Sequence, residues 1–313
     1  MRFLFKTIIS CSIFFILSSY VPKASDVLLI VNSENKKKLP RNFRTCQASF
    51  VKKPKHPVSR SGLNKLNASG SGQFSANELH KLYKKLGKPT SFYIVDLRQE
   101  SHGLLNDMAV SWFHAKNWGN IAKTDEEIQT EESENLQHLL ADKFAPLHWP
   151  RKSDEVGFIG KSLYRRIPVS KVSTEEVLVR SLQMQYKRFF VTDFSRPRPQ
   201  VVDDFVDFIK STETEKPWYH FHCKAGRGRT TAFLIMFDMM KNAKSVSINH
   251  IITRHYLMGG SSMDKCEDSS PWRKKHRIAR RDFLSKFYKY CQQNTDNFTE
   301  SWTAYCSRIG IDP

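Results

Sequence analysis

The segment His222-Cys-Lys-Ala-Gly-Arg-Gly-Arg-Thr-Thr231 (HCKAGRGRTT) decides the fold, because it joins a predicted strand to a predicted helix. The run 217–222 (PWYHFH) is typical of a buried strand, and 229–241 is a strongly apolar helical stretch. A loop at a helix N-terminus offers unpaired backbone N–H groups and the positive end of the helix dipole, which bind anions. Gly226 and Gly228 permit the tight path that aims these amides inward. The segment therefore predicts an anion site.

Within this loop, Cys223 and Arg229 have the CX5R spacing of a nucleophile and a phosphate clamp. A thiol at a helix N-terminus beside cations has a depressed pKa and is a ready thiolate. The planar guanidinium of Arg229 can hold two phosphate oxygens, and Thr230 can donate a hydrogen bond to the sulfur. The alternative is a structural cysteine on a glycine-rich turn. Burying cations around an inert thiol would be costly, so the pattern favours a cysteine-dependent phosphatase.

The remaining loop residues are expected to bind the substrate. Lys224 and Arg227 add positive charge that a substrate with one phosphate does not need, whereas a ring with several phosphates does. The full set predicted here is His222, Lys224, Ala225, Gly226, Arg227 and Gly228.

A general acid is expected on a neighbouring loop, since the leaving alkoxide needs a proton. The predicted strand 186–191 runs into 192–197, where Asp193 is the carboxylate, thirty residues before Cys223. The alternative role for Asp193 is an Asx turn or a helix N-cap. We favour the acid, because the next carboxylates lie inside the predicted helix 199–210.

A second polar group follows the predicted strand 91–97: Asp96, Arg98, Glu100 and His102. We expect this group to line the pocket, with Asp96 or Glu100 orienting Arg229 and His102 bonding a phosphate. The alternative is that each is a buried polar residue at a strand end. Strands that alternate with helices along the chain predict an α/β sheet with crossover connections.

At these residues the chain resembles the protein-tyrosine-phosphatase-like phytases, the cysteine-dependent inositol polyphosphate phosphatases of bacteria. The resemblance extends beyond the loop and spans roughly 40–306. It includes the segments 40–44 (PRNFR), 69–75 (SGSGQFS), 95–103 (VDLRQESHG), 110–113 (VSWF) with 118–120 (WGN), and 287–290 (FYKY).

The resemblance implies a protein-tyrosine-phosphatase-like α/β core, with a central sheet flanked by helices, and a small inserted partial β-barrel. The core would comprise 26–102 and 171–313, and the insertion 103–170. It also implies stepwise dephosphorylation of myo-inositol hexakisphosphate (phytate) through a cysteinyl-phosphate, without a metal or other cofactor.

Several contacts with distal phosphates are implied by the same resemblance. They would come from Arg44, Arg273, Arg277 and Arg280, and Phe194 stands where the family usually has His after the acid. The spacings of four and three residues place the last three arginines along one helical face. A solvated basic face explains that spacing equally well.

The N-terminus predicts export. Segment 1–25 has a basic start, an apolar run at 7–17 and small residues at 24–25, as in a secretory signal peptide. The apolar run is too short to span a bilayer, and a lipoprotein signal fits poorly because most of the run follows Cys11. We expect a periplasmic or secreted protein with no stable membrane span.

The net charge and the cysteine spacing limit the classes of ligand and metal that the chain is expected to bind. The net charge of +19 falls to +16 without the three basic residues of 1–25 and favours a polyanionic partner, although a solvated basic surface explains part of it. No nucleic-acid recognition motif is evident. The cysteine spacings do not form the close pairs typical of zinc sites. The pairing of Cys46, Cys266, Cys291 and Cys306 stays open.

Alternative functions remain within and outside the enzymes. The loop also resembles that of the phosphoinositide 3-phosphatase tumour suppressor, which would make the substrate an inositol lipid. A protein tyrosine or dual-specificity phosphatase is a further alternative. A basic polyanion-binding protein with an inactive phosphatase fold would require loss of Cys223, Arg229 or the acid.

Overall fold

The computed structural model describes residues 18–20 as backbone only, and then residues 27–150, 157, 162–268 and 270–313. The predicted signal peptide 1–25 therefore lies outside the described residues, apart from the backbone of Ser18–Tyr20.

The described residues contain strands and helices in alternation. The strands are β1 Ser18–Tyr20, β2 Leu28–Ser33, β3 Arg44–Thr45, β4 Ala68–Gly72, β5 Phe92–Asp96, β6 His102–Leu105, β7 Met108–Phe113, β8 Phe144–Pro150, β9 Ser162–Pro168, β10 Val172–Ser173, β11 Gln185–Arg188 and β12 Trp218–Cys223. The helices are α1 Ala76–Lys85, α2 Asp125–Ala141, α3 Glu175–Ser181, α4 Pro199–Thr212, α5 Gly228–Asn242, α6 Ile248–Leu257, α7 Pro271–Gln293 and α8 Trp302–Arg308, with short 3-10 turns at Leu63–Lys65, Ala115–Asn117 and Glu213–Glu215.

A five-stranded sheet carries the predicted loop. Its strand order is β11-β5-β12-β4-β3, and β11, β5, β12 and β4 run parallel. In this register Cys223 lies opposite Gly72, and His222 lies opposite Asp96. Because the carboxyl ends of parallel strands meet at one edge, the loops after these strands converge there.

Helix α5 is buried on nearly all sides and anchors the core beneath that edge. Its apolar residues pack against β12 and β4 on one side and against α6 and α7 on the other. A helix that is hydrophobic around its circumference is a core helix. Aromatic rings join α5 to its neighbours: Phe233 packs edge-to-face on Phe205 of α4 at 5.0 Å between centroids. The predicted α/β core is confirmed.

A second sheet has seven strands in the order β1-β9-β8-β2-β7-β6-β10, mostly antiparallel, with β2 and β8 parallel. It does not confirm a partial barrel inserted at 103–170. Strand β2 lies in the middle of this sheet although it precedes that range, and β10 follows it. The domain boundaries stay a prediction.

Helix α2 forms from an acidic stretch within 103–170, the range expected to form the inserted partial β-barrel. Thr124 caps it and forms a capping box with Glu127, and acidic residues in the first turn suit the helix dipole. Ile128, Leu136 and Leu139 are its buried apolar residues. The charges around these positions hid the helical period, whereas the T-x-x-E capping signal was present in the sequence.

Two further expectations concern the membrane and the cysteines. Among the described residues, no helix combines the length and hydropathy that crossing a bilayer requires. Five cysteines are described, and all are buried free thiols: Cys46, Cys223, Cys266, Cys291 and Cys306.

Candidate active site

The predicted loop lies between the end of β12 and the start of α5, so Cys223 sits at the N-terminus of a buried helix. Gly226 has a φ of 70°, and a Cβ there would lie 2.2 Å from the backbone nitrogen of Gly72. Only glycine fits this position, because the backbone is left-handed and β4 passes directly behind it.

The segment Arg41–Arg44 holds the loop from behind. Arg41 donates to the carbonyl of Lys224, and Asn42 donates to that of Ala225 over 2.7 Å. Arg44 donates to the Gly226 carbonyl over 2.7 Å and to the Thr231 hydroxyl over 3.0 Å.

Arg44 was expected to contact a phosphate, but it is buried and donates to the loop, to Thr231 and to the carbonyl of Asn42. Its guanidinium therefore supports the loop and does not line the cleft. The roles of Arg41 and Asn42 were missed, since nothing in the spacing of the sequence pairs them with a loop almost two hundred residues later.

Cys223 is buried, and its sulfur accepts a hydrogen bond from Thr230 Oγ1 at 3.2 Å. Burial disfavours the thiolate, but the charge of Arg229 and the Thr230 hydrogen bond outweigh it and hold the pKa of Cys223 below its ordinary value. The predicted contact of Thr230 with the sulfur is thus present.

Arg229 is fixed by a two-point ion pair with Glu100, whose oxygens lie 2.6 and 2.8 Å from the guanidinium nitrogens. The carbonyls of Leu97 and Val191 also accept from it, at 3.2 and 3.0 Å. Burial opposes ionisation of Glu100, but Arg229 and Arg98 outweigh it and hold the pKa of Glu100 far below its ordinary value. Asp96 or Glu100 was expected to orient Arg229, and Glu100 is the one that contacts it.

Asp96, His102 and His222 form a buried network beneath the loop. His102 Nε2 lies 3.2 Å from Asp96, and His222 Nε2 lies 2.6 Å from Glu175. Burial disfavours the charged form of His222, but Glu175 and Asp96 outweigh it and raise the pKa of His222. These three side chains were expected to contact substrate, but they are fully buried and do not line the cleft.

Asp96, Glu175 and His222 each place a potential metal-ligand atom within 4.8 Å of the others. Ion pairs account for these charges already, because Arg188 lies 3.2 Å from Asp96 and His222 pairs with Glu175. The group stabilises the strand ends that carry the loop.

Asp193 reaches over the loop from the neighbouring strand end. Its Oδ1 lies 3.1 Å from Arg229 Nη2, and its Oδ2 accepts a hydrogen bond from Asn117 at 2.7 Å. Trp118 donates to its backbone carbonyl at 3.0 Å. The predicted acid thus lies beside the predicted clamp, while Asn117 and Trp118 were not anticipated as its partners.

Phe194 has a left-handed backbone with a φ of 67°, which is costly for an aromatic residue. Its ring packs edge-to-face on Trp272 at 4.9 Å, and Trp272 in turn contacts Trp118 at 5.6 Å. This aromatic cluster joins the Asp193 loop to α7 and offsets the backbone strain.

A cleft of about 620 Å³ lies above the loop. It is lined by seven basic residues, and Asp193 is the one carboxylate among the described residues that line it: the cations are Lys52, Lys224, Arg227, Arg229, Arg273, Arg277 and Arg280. The cleft therefore suits a ligand with several negative charges.

The three arginines predicted on α7 all face this cleft. Arg277 pairs with Asp268 at 2.8 Å, and burial lowers the pKa of Arg280 to about 10 without neutralising it at ordinary pH. Arg280 also lies next to Gly228 of the loop.

Two other lining residues come from separate segments. Lys52 lies with its Nζ 3.4 Å from the ring centroid of Tyr256, as in a cation–π contact. Neither residue was predicted, because an isolated lysine and tyrosine carry no recognisable signal.

Burial and the nearby Arg98 lower the pKa of the loop residue Lys224 to about 7.

A family model and solved structures similar to this chain indicate the same family. The family model of PTP-like phytases, described by the words inositol hexakisphosphate, matches residues 95–241. A PTP-like phytase from Bdellovibrio bacteriovorus is 30% identical with a TM-score of 0.69, covering 92% of this chain and 98% of that one.

Two longer proteins are also similar. The PTP-like myo-inositol phosphatase from Mitsuokella multacida, solved with myo-inositol-(1,3,4,5)-tetrakisphosphate, is 34% identical with a TM-score of 0.87, covering 94% of this chain and 50% of that one. The effector protein hopD2 of Pseudomonas syringae pv. tomato is 27% identical over 255 residues, 80% of this chain and 53% of the relative. The chain thus spans about half the length of these two proteins.

The Bdellovibrio phytase matches over nearly its whole length, and the family model and the fold agree with it. The chain belongs to the PTP-like phytase family.

Proposed function

We propose that the chain is a cysteine-dependent phosphatase that hydrolyses phosphomonoesters of myo-inositol polyphosphates. The observation that carries this proposal is the cleft itself, in which seven cations and a single carboxylate among the described lining residues surround Cys223. A reactive thiol alone would accept many phosphate esters, whereas this charge excess favours a small, highly charged substrate.

In the first step, the thiolate of Cys223 attacks phosphorus while Arg229 and the loop amides bind the phosphoryl oxygens. The S–P bond forms as the P–O bond to the inositol oxygen breaks, and the carboxyl of Asp193 gives its proton to that oxygen. The lowered pKa of Cys223 supports its role as the nucleophile, and the 3.1 Å between Asp193 and Arg229 supports an acid that lies beside the bound phosphoryl group.

In the second step, the Asp193 carboxylate takes a proton from a water molecule whose oxygen attacks the cysteinyl-phosphate. The P–S bond breaks, inorganic phosphate leaves and the thiolate is restored. The hydrogen bond from Thr230 to the sulfur supports this step, because it stabilises the departing thiolate.

The same charge distribution bears on the substrate class. A phosphotyrosine side chain would bring one phosphate to the loop cations and no further anion to the cations of α7 or to Lys52. An inositol ring carries further phosphates at a short distance from the first, so the remaining cations would each find an anion. The tetrakisphosphate bound by the similar Mitsuokella protein supports this reading.

The test is phosphate release by the purified chain from myo-inositol hexakisphosphate, with a phosphoinositide vesicle and a phosphotyrosine peptide as parallel substrates. We expect the hexakisphosphate to be hydrolysed most efficiently, and Cys223→Ser to lower turnover by at least about 1,000-fold while the substrate still binds. A preference for the vesicle or the peptide would overturn the substrate assignment, and full turnover by Cys223→Ser would overturn the covalent mechanism.

A further inference from the structure

The side chain of Asn117 lies between two residues of the site that come from different loops. Its Nδ2 donates to Asp193 Oδ2 at 2.7 Å, and its Oδ1 accepts from Lys224 Nζ at 3.1 Å. An ionised Asp193 carboxylate has acceptors only, and the ammonium form of Lys224 has donors only, so the amide oxygen faces Lys224. The amide N–H groups consequently face Asp193.

This orientation distinguishes the two oxygens of Asp193. Oδ2 accepts the Asn117 amide N–H over 2.7 Å, and protonation of Oδ2 would weaken this short hydrogen bond. Oδ1 accepts from the Phe194 backbone at 3.0 Å and lies 3.1 Å from Arg229, the clamp for the phosphate. When a phosphate takes over Arg229, Oδ1 keeps only the 3.0 Å bond from Phe194, whereas Oδ2 keeps the shorter 2.7 Å bond from Asn117, so Oδ1 is the oxygen that takes the proton.

The segment that carries Asn117 is shaped to hold the amide there. Lys116 and Asn117 both have left-handed backbones, with φ of 60° and 61°, a conformation that asparagine tolerates better than most residues. The backbone nitrogen of Asn117 donates to His114 at 2.8 Å, and Trp118 donates to the Asp193 carbonyl at 3.0 Å. Asn117 itself is 7% exposed.

We propose that Asn117 is a positioning residue that directs the acidic proton of Asp193 to Oδ1, the oxygen beside the Arg229 clamp. During cleavage this proton passes from Oδ1 to the inositol oxygen as the P–O bond breaks and the S–P bond forms. The inference rests on the proposed function, since it requires Asp193 to be the acid.

The test compares two leaving groups in the full chain. An inositol alkoxide needs a proton to leave, whereas p-nitrophenolate is stable without one. For Asn117→Ala we expect kcat with myo-inositol hexakisphosphate to fall about 10- to 100-fold and kcat with p-nitrophenyl phosphate to change less than about threefold. Asn117→Leu keeps a similar volume but removes the N–H donor without adding a charge, so the same selectivity is expected.

Asn42→Ala is the matched control, because Asn42 donates to the loop carbonyl of Ala225 and not to Asp193. It should affect both substrates alike. An equal loss on both substrates in Asn117→Ala would show a structural role only and overturn the inference.

Asp193→Asn separates this inference from the proposed function. If Asp193→Asn lacks the leaving-group selectivity, the acid assignment itself fails and the Asn117 inference fails with it. If Asp193→Asn has the selectivity and both Asn117 variants lack it, only the role of Asn117 is overturned. In the double variant Asp193→Asn with Asn117→Ala, kcat for the hexakisphosphate should be no lower than in Asp193→Asn alone.

Discussion

The loop and the start of α7 line the same cleft, but they hold their cations differently. Arg229 of the loop has a side chain only 1% exposed and makes a two-point pair with Glu100, whereas the Arg277 side chain on α7 is 39% exposed. A buried, paired guanidinium keeps one geometry, which a phosphoryl group under attack requires. A more exposed cation such as Arg277 can adapt to phosphates at different ring positions. We infer that the loop carries the chemistry, and that the wall, which comprises Lys52, Arg273, Arg277 and Arg280, carries the selectivity.

Gly226→Ala is the substitution expected to disrupt the loop most strongly while leaving the cations of α7 in place. The new methyl would lie 2.2 Å from the Gly72 nitrogen, so either the loop or β4 must move. We expect turnover of every phosphate ester to fall at least about 100-fold, because small displacements of reacting groups have effects of that size. Steady-state kinetics with the hexakisphosphate and p-nitrophenyl phosphate measure this loss.

Gly87→Ala controls for the backbone strain. Gly87 also has a positive φ, 78°, but nothing lies within 4 Å of its Cβ position. It should lower the free energy of unfolding by about 1 kcal/mol and leave turnover unchanged. Near-wild-type turnover by Gly226→Ala would contradict the account of the loop.

Arg280→Ala tests the wall. Arg280 is 9% exposed and lines the cleft, so its loss removes a charge-assisted contact with a distal phosphate. We expect kcat/KM for the hexakisphosphate to fall about 10- to 100-fold, and that for a monophosphate to fall far less. The neighbouring Arg281→Ala is the control, since Arg281 pairs with Asp282 on the exposed side of α7. Equal losses on both substrates would mean that Arg280 supports the loop and not the wall.

A smaller effect should appear in the pH dependence of binding. Because burial lowers the pKa of Lys224 to about 7, this side chain is charged below that pH and loses its charge above it. KM for the hexakisphosphate should therefore rise by about three- to tenfold between pH 6 and pH 8. Lys224→Met removes this part of the profile. An unchanged KM profile in Lys224→Met would assign the pH dependence to other groups.

The loop could be predicted from the sequence because its signal is local. Cys223, Arg229, Thr230 and the glycines lie within ten residues, between a strand and a helix whose apolar patterns are strong. The strand, helix and anion site all follow from that one stretch.

The partners of the loop could not be predicted in the same way. Asn117 and Arg41 reach it from more than a hundred residues away, and only the strand order brings them there. The resemblance suggested a phosphate contact for Arg44, and the residue type suggested one for His102, but burial assigns both to the support of the loop and its strands. Burial depth is a tertiary property that one sequence does not reveal.

The most direct test of this division compares two substrates that share a leaving group and differ in their distal phosphates. The measurement is kcat/KM of the wild-type chain for myo-inositol hexakisphosphate and for myo-inositol 1-phosphate, at one pH and ionic strength. Two charge-assisted contacts with the wall predict a preference of at least about 100-fold for the hexakisphosphate. Equal values for the two substrates would show that the wall contributes nothing to selectivity and contradict the account.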